Sequence, residues 1–534
     1  MALQPANPPP AARIPWRERL VAQAPEGSIM RAKRAATALF ACWVIWVGAA
    51  SAHDPEHRAD TITGALGTTN FPNSGAPGAQ QDFLRGLLLL HSFEYPAARR
   101  SFQAAEREDP GFAMAYWGEA LTYNHTLWGE QDLEAARAAL AKLGATPEER
   151  AAKAPTARER AYLASVEQLY GEGDKERRDA NFSAALGTLA RAYPDDLDAR
   201  SFYALSIMGL TGNKRNIANY MRAAAEAEAV YEIDRQHPGA LHYLIHAYDD
   251  PIHAPLGLRA ARRYGKVAPA ASHAQHMPSH IFFALGMWDD AIEANVASLK
   301  TARAQGDRGY HSLLWLEYAY LQQDKRREAQ QLVQSVAQDV AAGPDKDNRA
   351  RLAHARAMWL VDTRGSAAPD ARSPVDSSGI PNINYFAAYD FARGITAADK
   401  PGEARAALEQ LRARIESART RMTGVTKSWL DNITAQEIEQ ATLMANVLAG
   451  TIQYYEGDKS AGVAQIREAI GAADRLVFEY GPPWSVKPFD EVLGELLLAD
   501  GRREEAASSF QKTLAVYPNR RLAREGLAAA QAIH

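Results

Sequence analysis

Four histidines repeat at one interval: His242 and His246 recur 34 residues on as His276 and His280, and about 34 residues is the period of a stacked helix-turn-helix unit. In His242-Tyr-Leu-Ile-His246-Ala-Tyr-Asp249 the ligand-capable side chains fall at i, i+4 and i+7. In His273-Ala-Gln-His276-Met-Pro-Ser-His280 they fall at i, i+3 and i+7, so each segment sets three on one helical stripe. Six of the 14 histidines, His253 among them, lie within 39 residues. Neighbouring helices whose axes lie about 8–10 Å apart bring such imidazoles to one point. His242 and His246 can therefore join His276 and His280 as a candidate metal box, with Asp249 or His273 as a fifth ligand or an outer partner. Imidazoles with a carboxylate suit Zn, Cu, Fe or Ni better than Ca or Mg. Three ligands and an open position would permit catalysis, whereas four closed ones would be structural. A water activated by such an ion needs a base, for which Asp249, Asp250 and Glu317 are candidates. His311, 35 residues after His276, opens what reads as the next repeat and is a secondary candidate ligand, with His91, Glu119 and His125.

The same histidines also read as buried, hydrogen-bonded anchors of helix starts, because polar groups in a repeat core must be paired. Pro278 predicts a helix start or kink near Met277, which would displace His276 from the stripe. Anchoring the repeats on Pro238 and Pro269 aligns His242 with His273 instead. His91 with Glu94, and Glu119 with His125 and Trp128, either extend a polar channel toward the cluster or pack at helix ends. Tyr116, Trp117 and Trp128 have the spacing of core aromatics. No P-loop, dinucleotide fingerprint, nucleophile elbow or H-E-x-x-H motif occurs, so nucleotide-dependent and serine-hydrolase chemistry have no support.

The elements that must position these residues are helices. The chain is 47% apolar, and no segment sustains the period-2 alternation of a strand. Gly86, Ala98, Phe102, Ala105 and Pro110 match the small, Ala, aromatic, small and Pro positions of a helix-pair repeat. Leu493, Gly494, Gly501, Ala506, Phe510 and Pro518 match it again, and the turn-plus-Ala signature recurs at Gly286–Ala291 and Gln323–Ala329. The expected fold is all-α, an α-solenoid of tetratricopeptide-like repeats whose core is continuous along the stack.

Residues 1–52 read as an N-terminal extension and signal peptide, the signal covering about 30–52. Met30-Arg-Ala-Lys-Arg34 is basic, Ala35 to Gly48 is apolar, and Ala50-Ser51-Ala52 is a cleavage site. The apolar stretch is shorter than the roughly 20 residues a spanning helix needs, so no stable membrane insertion is expected after cleavage. The chain is then periplasmic or secreted, starting at His53. Cys42, the single cysteine, leaves with the signal, so any metal must be held by His, Asp, Glu or water. Residues 1–52 carry six Lys/Arg and two Asp/Glu, leaving 54 basic against 62 acidic residues and a net charge of −8. No basic stripe points to nucleic acid.

Residues 53–80 read as an irregular lead-in, 81–362 as a first solenoid block carrying the histidines, 363–384 as a linker and 385–534 as further repeats. The chain resembles exported bacterial tetratricopeptide proteins with a His-x-x-His-Met-Pro-Ser-His motif. The likeness is carried by Leu-Leu-His91-Ser-Phe-Glu-Tyr95, Ala113-Met-Ala-Tyr-Trp117-Gly-Glu119-Ala, Asn124-His125-Thr-Leu-Trp128, His273 to Ile281, and Tyr480-Gly-Pro-Pro-Trp-Ser-Val-Lys-Pro488. It departs from that pattern at Asp490, where His is expected, and at Gly75, where Cys is expected. The resemblance implies the fold rather than an activity. Two functions remain: a scaffold binding a protein, peptide or other ligand on its concave face, with a His-lined metal site, or a metal-dependent enzyme, hydrolytic or oxidative, built on the same repeats.

Overall fold

A glycine, an aromatic ring and a second glycine at 16-residue intervals fix how neighbouring helices meet: Gly86, Phe102 and Gly118 near one end, Gly494, Phe510 and Gly526 near the other. A Cβ on Gly86 would stand 2.8 Å from the Phe102 ring and one on Gly118 2.4 Å from it. At Gly494 and Gly526 the corresponding distances to Phe510 are 2.8 and 2.3 Å. Both rings are fully buried, which stabilises each repeat by about 1.5–3 kcal/mol, and only the missing side chains let the flanking helices approach them.

The computed structural model describes residues 62–212, 215–365, 370–426, 428–476 and 480–532. The expected signal peptide, Cys42 and the start at His53 lie outside these residues. Within them the helix pair Gln80–His91 and Tyr95–Glu108 is followed by Ala113–Leu121 and Leu133–Leu143, and helices continue to pack on their sequence neighbours as far as Arg521–Gln531. This is an all-α solenoid of tetratricopeptide-like helix pairs. Asn124–His125 pairs antiparallel with Glu130–Gln131, strands too short to leave an alternation in the sequence. Among the described residues no helix is long and apolar enough to cross a membrane.

The irregular segments are packed rather than free. Phe71 of the lead-in sits 5.2 Å from Phe83, 5.9 Å from Trp117 and 5.0 Å from Tyr162. In the stretch expected to link two blocks, Ala371, Ile380 and Ile383 are buried, and the Tyr389 hydroxyl donates to the Ala371 and Ser373 carbonyls at 2.8 and 2.7 Å.

The last repeats rest on the middle ones. Gly286 lets them approach: a Cβ there would lie 2.3 Å from the Pro518 carbonyl oxygen. Beside it the Trp288 indole donates to the Asn519 carbonyl at 3.1 Å. Arg520, fully buried, donates to Glu491 at 2.7 and 3.1 Å and to the Tyr318 hydroxyl at 2.9 Å, with Asp362 3.5 Å away. By contacts Asp54–His534 is a single unit.

Candidate metal centre

Successive repeats deliver the histidines to one place. Pro238–Ala247 carries His242 and His246, Ser272–His276 carries His273 and His276, Pro278–Ala284 carries His280, and Tyr310–Gln322 carries His311. Pro238 sits at the helix start, where its missing N–H costs nothing, and His237 Nδ1 accepts the Ala240 N–H at 3.2 Å. The Asp250 carboxylate closes the turn between Pro238–Ala247 and Ala254–Val267 by accepting the Ile252 and His253 N–H groups, both at 2.9 Å. Pro278 divides the next segment into two short helices, but Met277 between them keeps helical angles, φ −52° and ψ −37°. His276 therefore stays beside His280.

The six imidazoles form two triads rather than one box of four. In the first, His242 Nε2 lies 3.1 Å from both His246 Nε2 and His273 Nε2. In the second, His276 Nε2 lies 3.1 Å from His280 Nε2, and His311 completes the set. The ligand atoms of each triad all fall within 4.8 Å of one another. Around a tetrahedral ion with metal–nitrogen bonds of about 2.0–2.1 Å the donor atoms stand about 3.3 Å apart, so both sets already have close to the size an ion requires. The triads adjoin: ring centroids are 5.7 Å apart for His246 and His280, and 6.3 Å for His273 and His276.

Outer partners decide which nitrogen faces inward. His242 Nδ1 donates to the His91 carbonyl at 2.6 Å, His276 Nδ1 to Asn295 Oδ1 at 2.7 Å, and His280 Nδ1 to Asp249 Oδ2 at 2.6 Å. The Asn295 amide is fixed in this sense because its Nδ2 donates to the Ala291 carbonyl at 2.8 Å. With Nδ1 of both His276 and His280 directed to an acceptor, their Nε2 atoms face each other across 3.1 Å, and two neutral rings would meet there lone pair to lone pair. Such a contact needs a cation between the nitrogens, either a proton or a metal ion. Burial, with the neighbouring imidazoles second, pushes His242, His246, His273 and His276 well below the ordinary histidine pKa, which disfavours a proton on those four rings. These Nδ1 contacts are the outer support that orients metal-bound imidazoles.

Aromatic side chains enclose the centre. Phe93 lies 4.3 Å from His242, 5.7 Å from His246 and 5.6 Å from His273, and holds φ +56°, a conformation bulky residues rarely adopt. The adjacent Glu94 carboxylate accepts from Ser272 Oγ and the His273 N–H, both at 3.2 Å. One loop thus aims His242, covers the first triad and caps the helix bearing His273. Trp315 packs against the second triad, 4.9 Å from His276 and 4.4 Å from His280.

The remaining sequence candidates fall elsewhere. Asp249 sits on the Nδ1 side of His280, away from the converging Nε2 atoms. Asp250 is paired with Arg215 at 2.8 Å and with His253, so it is no free base. Glu317 is fully buried, and neither carboxylate oxygen is hydrogen-bonded among the described residues; burial, then Asp362, raises its pKa well above the ordinary value. The His91 carbonyl accepts from His242 Nδ1, while the His91 ring binds Asp198 at 2.8 Å, with His237 3.4 Å from the same oxygen. Glu119 is held by Lys142 at 2.8 Å and Gln103 at 2.7 Å, and burial together with Glu119 pushes neighbouring Glu106 up to about 8. His125 pairs with Glu130 at 3.1 Å and stacks on Tyr95. Phe93, Asn295 and Trp315 are the supporting residues that spacing overlooked; only Trp315, one turn after His311 on the same stripe, carried a signal.

No protein-family model matches the chain, and no curated protein matches it. Among solved structures it is similar to the human IFIT1 dimer with m7Gppp-AAAA, at 12% identity over 89% of this chain and 93% of that one, TM-score 0.36. It is also similar to Ypp1, at 10% identity over 85% of each chain, TM-score 0.40, and to the Cut9-Hcn1 APC/C hetero-tetramer, at 12% identity over 87% and 79%, TM-score 0.29. Likeness at these scores says nothing of function; the repeat architecture is read from the chain's own helices.

Proposed function

We propose that the chain is an exported helical-repeat metalloprotein that binds two transition-metal ions side by side, one in each imidazole triad. The observation that carries this reading is the convergence of three imidazoles at each of two adjoining points, with His276 and His280 Nε2 3.1 Å apart and both outer nitrogens committed to acceptors. Three imidazoles per ion leave a coordination position open to water or a small ligand, and an all-nitrogen set suits Cu, Zn, Fe or Ni. When bound, adjacent ions would supply Lewis acidity at two neighbouring points. This chain's own residues orient the rings through His91, Asn295 and Asp249 and exclude water with Phe93 and Trp315. Metal-dependent hydrolysis or oxidation is the enzymatic form of the same proposal.

Elemental mass spectrometry on untagged protein tests it. Two ions per chain are expected, one after His246→Ala or His280→Ala, and none in the double variant. A metal-free wild type that rebinds nothing would overturn the proposal. Export rests on the residue 30–52 sequence, and amino-terminal sequencing of the mature protein should begin at His53.

A partner-binding role has its own observation. A surface groove of about 610 Å³ is lined by Arg259, Arg262, Arg263 and Lys266; in an acidic chain this basic patch fits an acidic segment of a partner protein. Arg262→Glu/Lys266→Glu should abolish capture of such a partner and leave metal content unchanged.

A further inference from the structure

All the donors of the two triads are neutral imidazoles, so charge as well as geometry sets which ions they can hold together. Rings of the two triads stand 5.7 and 6.3 Å apart, which places their ions about 6 Å from each other. Repulsion grows with the product of the charges, so at one spacing two divalent ions repel about four times as strongly as two monovalent ones. With an effective dielectric constant of about 20, a second monovalent ion binds about 100-fold less tightly than it would alone, and a second divalent ion about 10⁸-fold less tightly. Helical di-iron and di-manganese centres offset that repulsion with carboxylate donors, roughly two per ion. Neither triad has one.

The counter-charge lies outside the rings and is small. Among the described residues two carboxylates touch the triad histidines: buried Asp249 accepts from His280 Nδ1 at 2.6 Å, and half-buried Glu94 accepts from the His273 N–H at 3.2 Å. Neither has a Lys or Arg partner among the described residues. The cations nearby are already paired. Arg215 donates to the His246 carbonyl at 3.1 Å and holds Asp250 at 2.8 Å. Arg351, whose charge reaches His311, holds Asp347 at 2.9 Å. Two negative charges thus balance two monovalent ions, but only half the charge of two divalent ones. Of the ions that an all-nitrogen set suits, copper is the one with an ordinary monovalent state.

We propose that the paired triads form a dicopper(I) centre, balanced by Asp249 and Glu94, which admits two monovalent ions but only one divalent ion. The proposal rests on the metal-binding reading and narrows it to one element in one valence. Monovalent ions are weak Lewis acids, so the oxidative form of that reading gains over the hydrolytic one.

The test loads the full, untagged chain in the absence of oxygen with copper(I), with silver(I) as a monovalent substitute, or with zinc(II), and counts ions per chain by elemental mass spectrometry after desalting. Copper(I) and silver(I) should each reach two per chain, and zinc one. His246→Glu, which sets a carboxylate donor beside His280, should raise the zinc count to two. His246→Gln, neutral and of similar size, should leave it at one. Two zinc ions in the wild type would overturn the proposal, as would a second zinc that His246→Gln admits as readily as His246→Glu, or a wild type that holds a single silver ion. The two readings fail differently. A wild type that takes up none of the three metals refutes metal binding itself, whereas two zinc ions uphold metal binding and refute the dicopper(I) centre.

Discussion

Asp249→Asn changes a charge while keeping shape at the position that orients one triad and not the other. Its Oδ2 accepts from His280 Nδ1 at 2.6 Å, and a hydrogen bond to a charged group is worth about 1.5–3 kcal/mol. Losing such an outer partner typically lowers metal affinity about 10- to 100-fold. Asn still offers an oxygen to the same N–H, so the expected loss is near the lower end, about 10-fold or roughly 1.4 kcal/mol. Only the ion of the His276, His280 and His311 triad should feel it. A competition titration against a chromophoric chelator should therefore show one of two binding phases weakened and the other unchanged. Asp249 Oδ1 has no hydrogen-bond partner among the described residues, so neutralising this buried carboxylate in the metal-free chain should leave the urea midpoint unchanged or raise it. Equal weakening of both ions, or a loss of about 3 kcal/mol in the metal-free chain, the cost of breaking a buried charge pair, would refute the positioning role.

Further outcomes follow from the same geometry. The imidazoles of His242, His246, His273 and His276 are held neutral below the pH at which they would protonate in the unfolded chain. Their contribution is complete above about pH 6.5 and falls as the pH drops, by about 1.4 kcal/mol per pH unit for each group; urea unfolding of metal-free protein from pH 7 to 5 measures it, and a flat profile excludes it. Arg520→Met leaves Glu491 with Lys487 at 3.2 Å and Asp362 with Gln322 at 3.1 Å, so it should destabilise near the lower end of the range for a broken buried pair, about 3 kcal/mol in urea; Arg520→Met/Glu491→Gln should recover part of that, and additive losses would contradict the coupling. Gly494→Ala, whose Cβ would meet Phe510 at 2.8 Å, should cost about 1–3 kcal/mol. Gly343→Ala, with nothing within 4 Å, is the control, and equal melting temperatures for the two would remove the packing argument.

The helix-pair fold was legible because its rules are local: Gly86, Phe102, Gly494 and Phe510 sit at fixed offsets, and a glycine against a buried ring is a property of one repeat. The histidine stripes were legible for the same reason. Their division into triads was not, because it depends on whether the chain stays helical through Met277 ahead of Pro278, and both registers satisfied the spacing. Asp249 shares a stripe with His242 and His246, which left it either a fifth ligand or an outer partner; the next repeat places it behind His280. Asp250 looked like a base because nothing in the sequence connects it to Arg215. The left-handed backbone of Phe93 leaves no trace in residue type. The segments carrying the family resemblance, His91 to Tyr95 and Tyr480 to Pro488, are far from the central histidines in sequence, yet the fold sets Phe93 on one triad and Tyr480 on the other.

That last placement bears on when the centre comes into being. The Phe93 loop belongs to an early part of the polypeptide, the histidines to its middle and the Tyr480 loop to a late part. A ribosome therefore finishes all six imidazoles well before it makes one of the loops that covers them. Until residue 480 has emerged and docked, the second triad lies uncovered, so an ion bound there would be held firmly only late in maturation. A chain ending before that loop would keep every imidazole and would release such an ion faster.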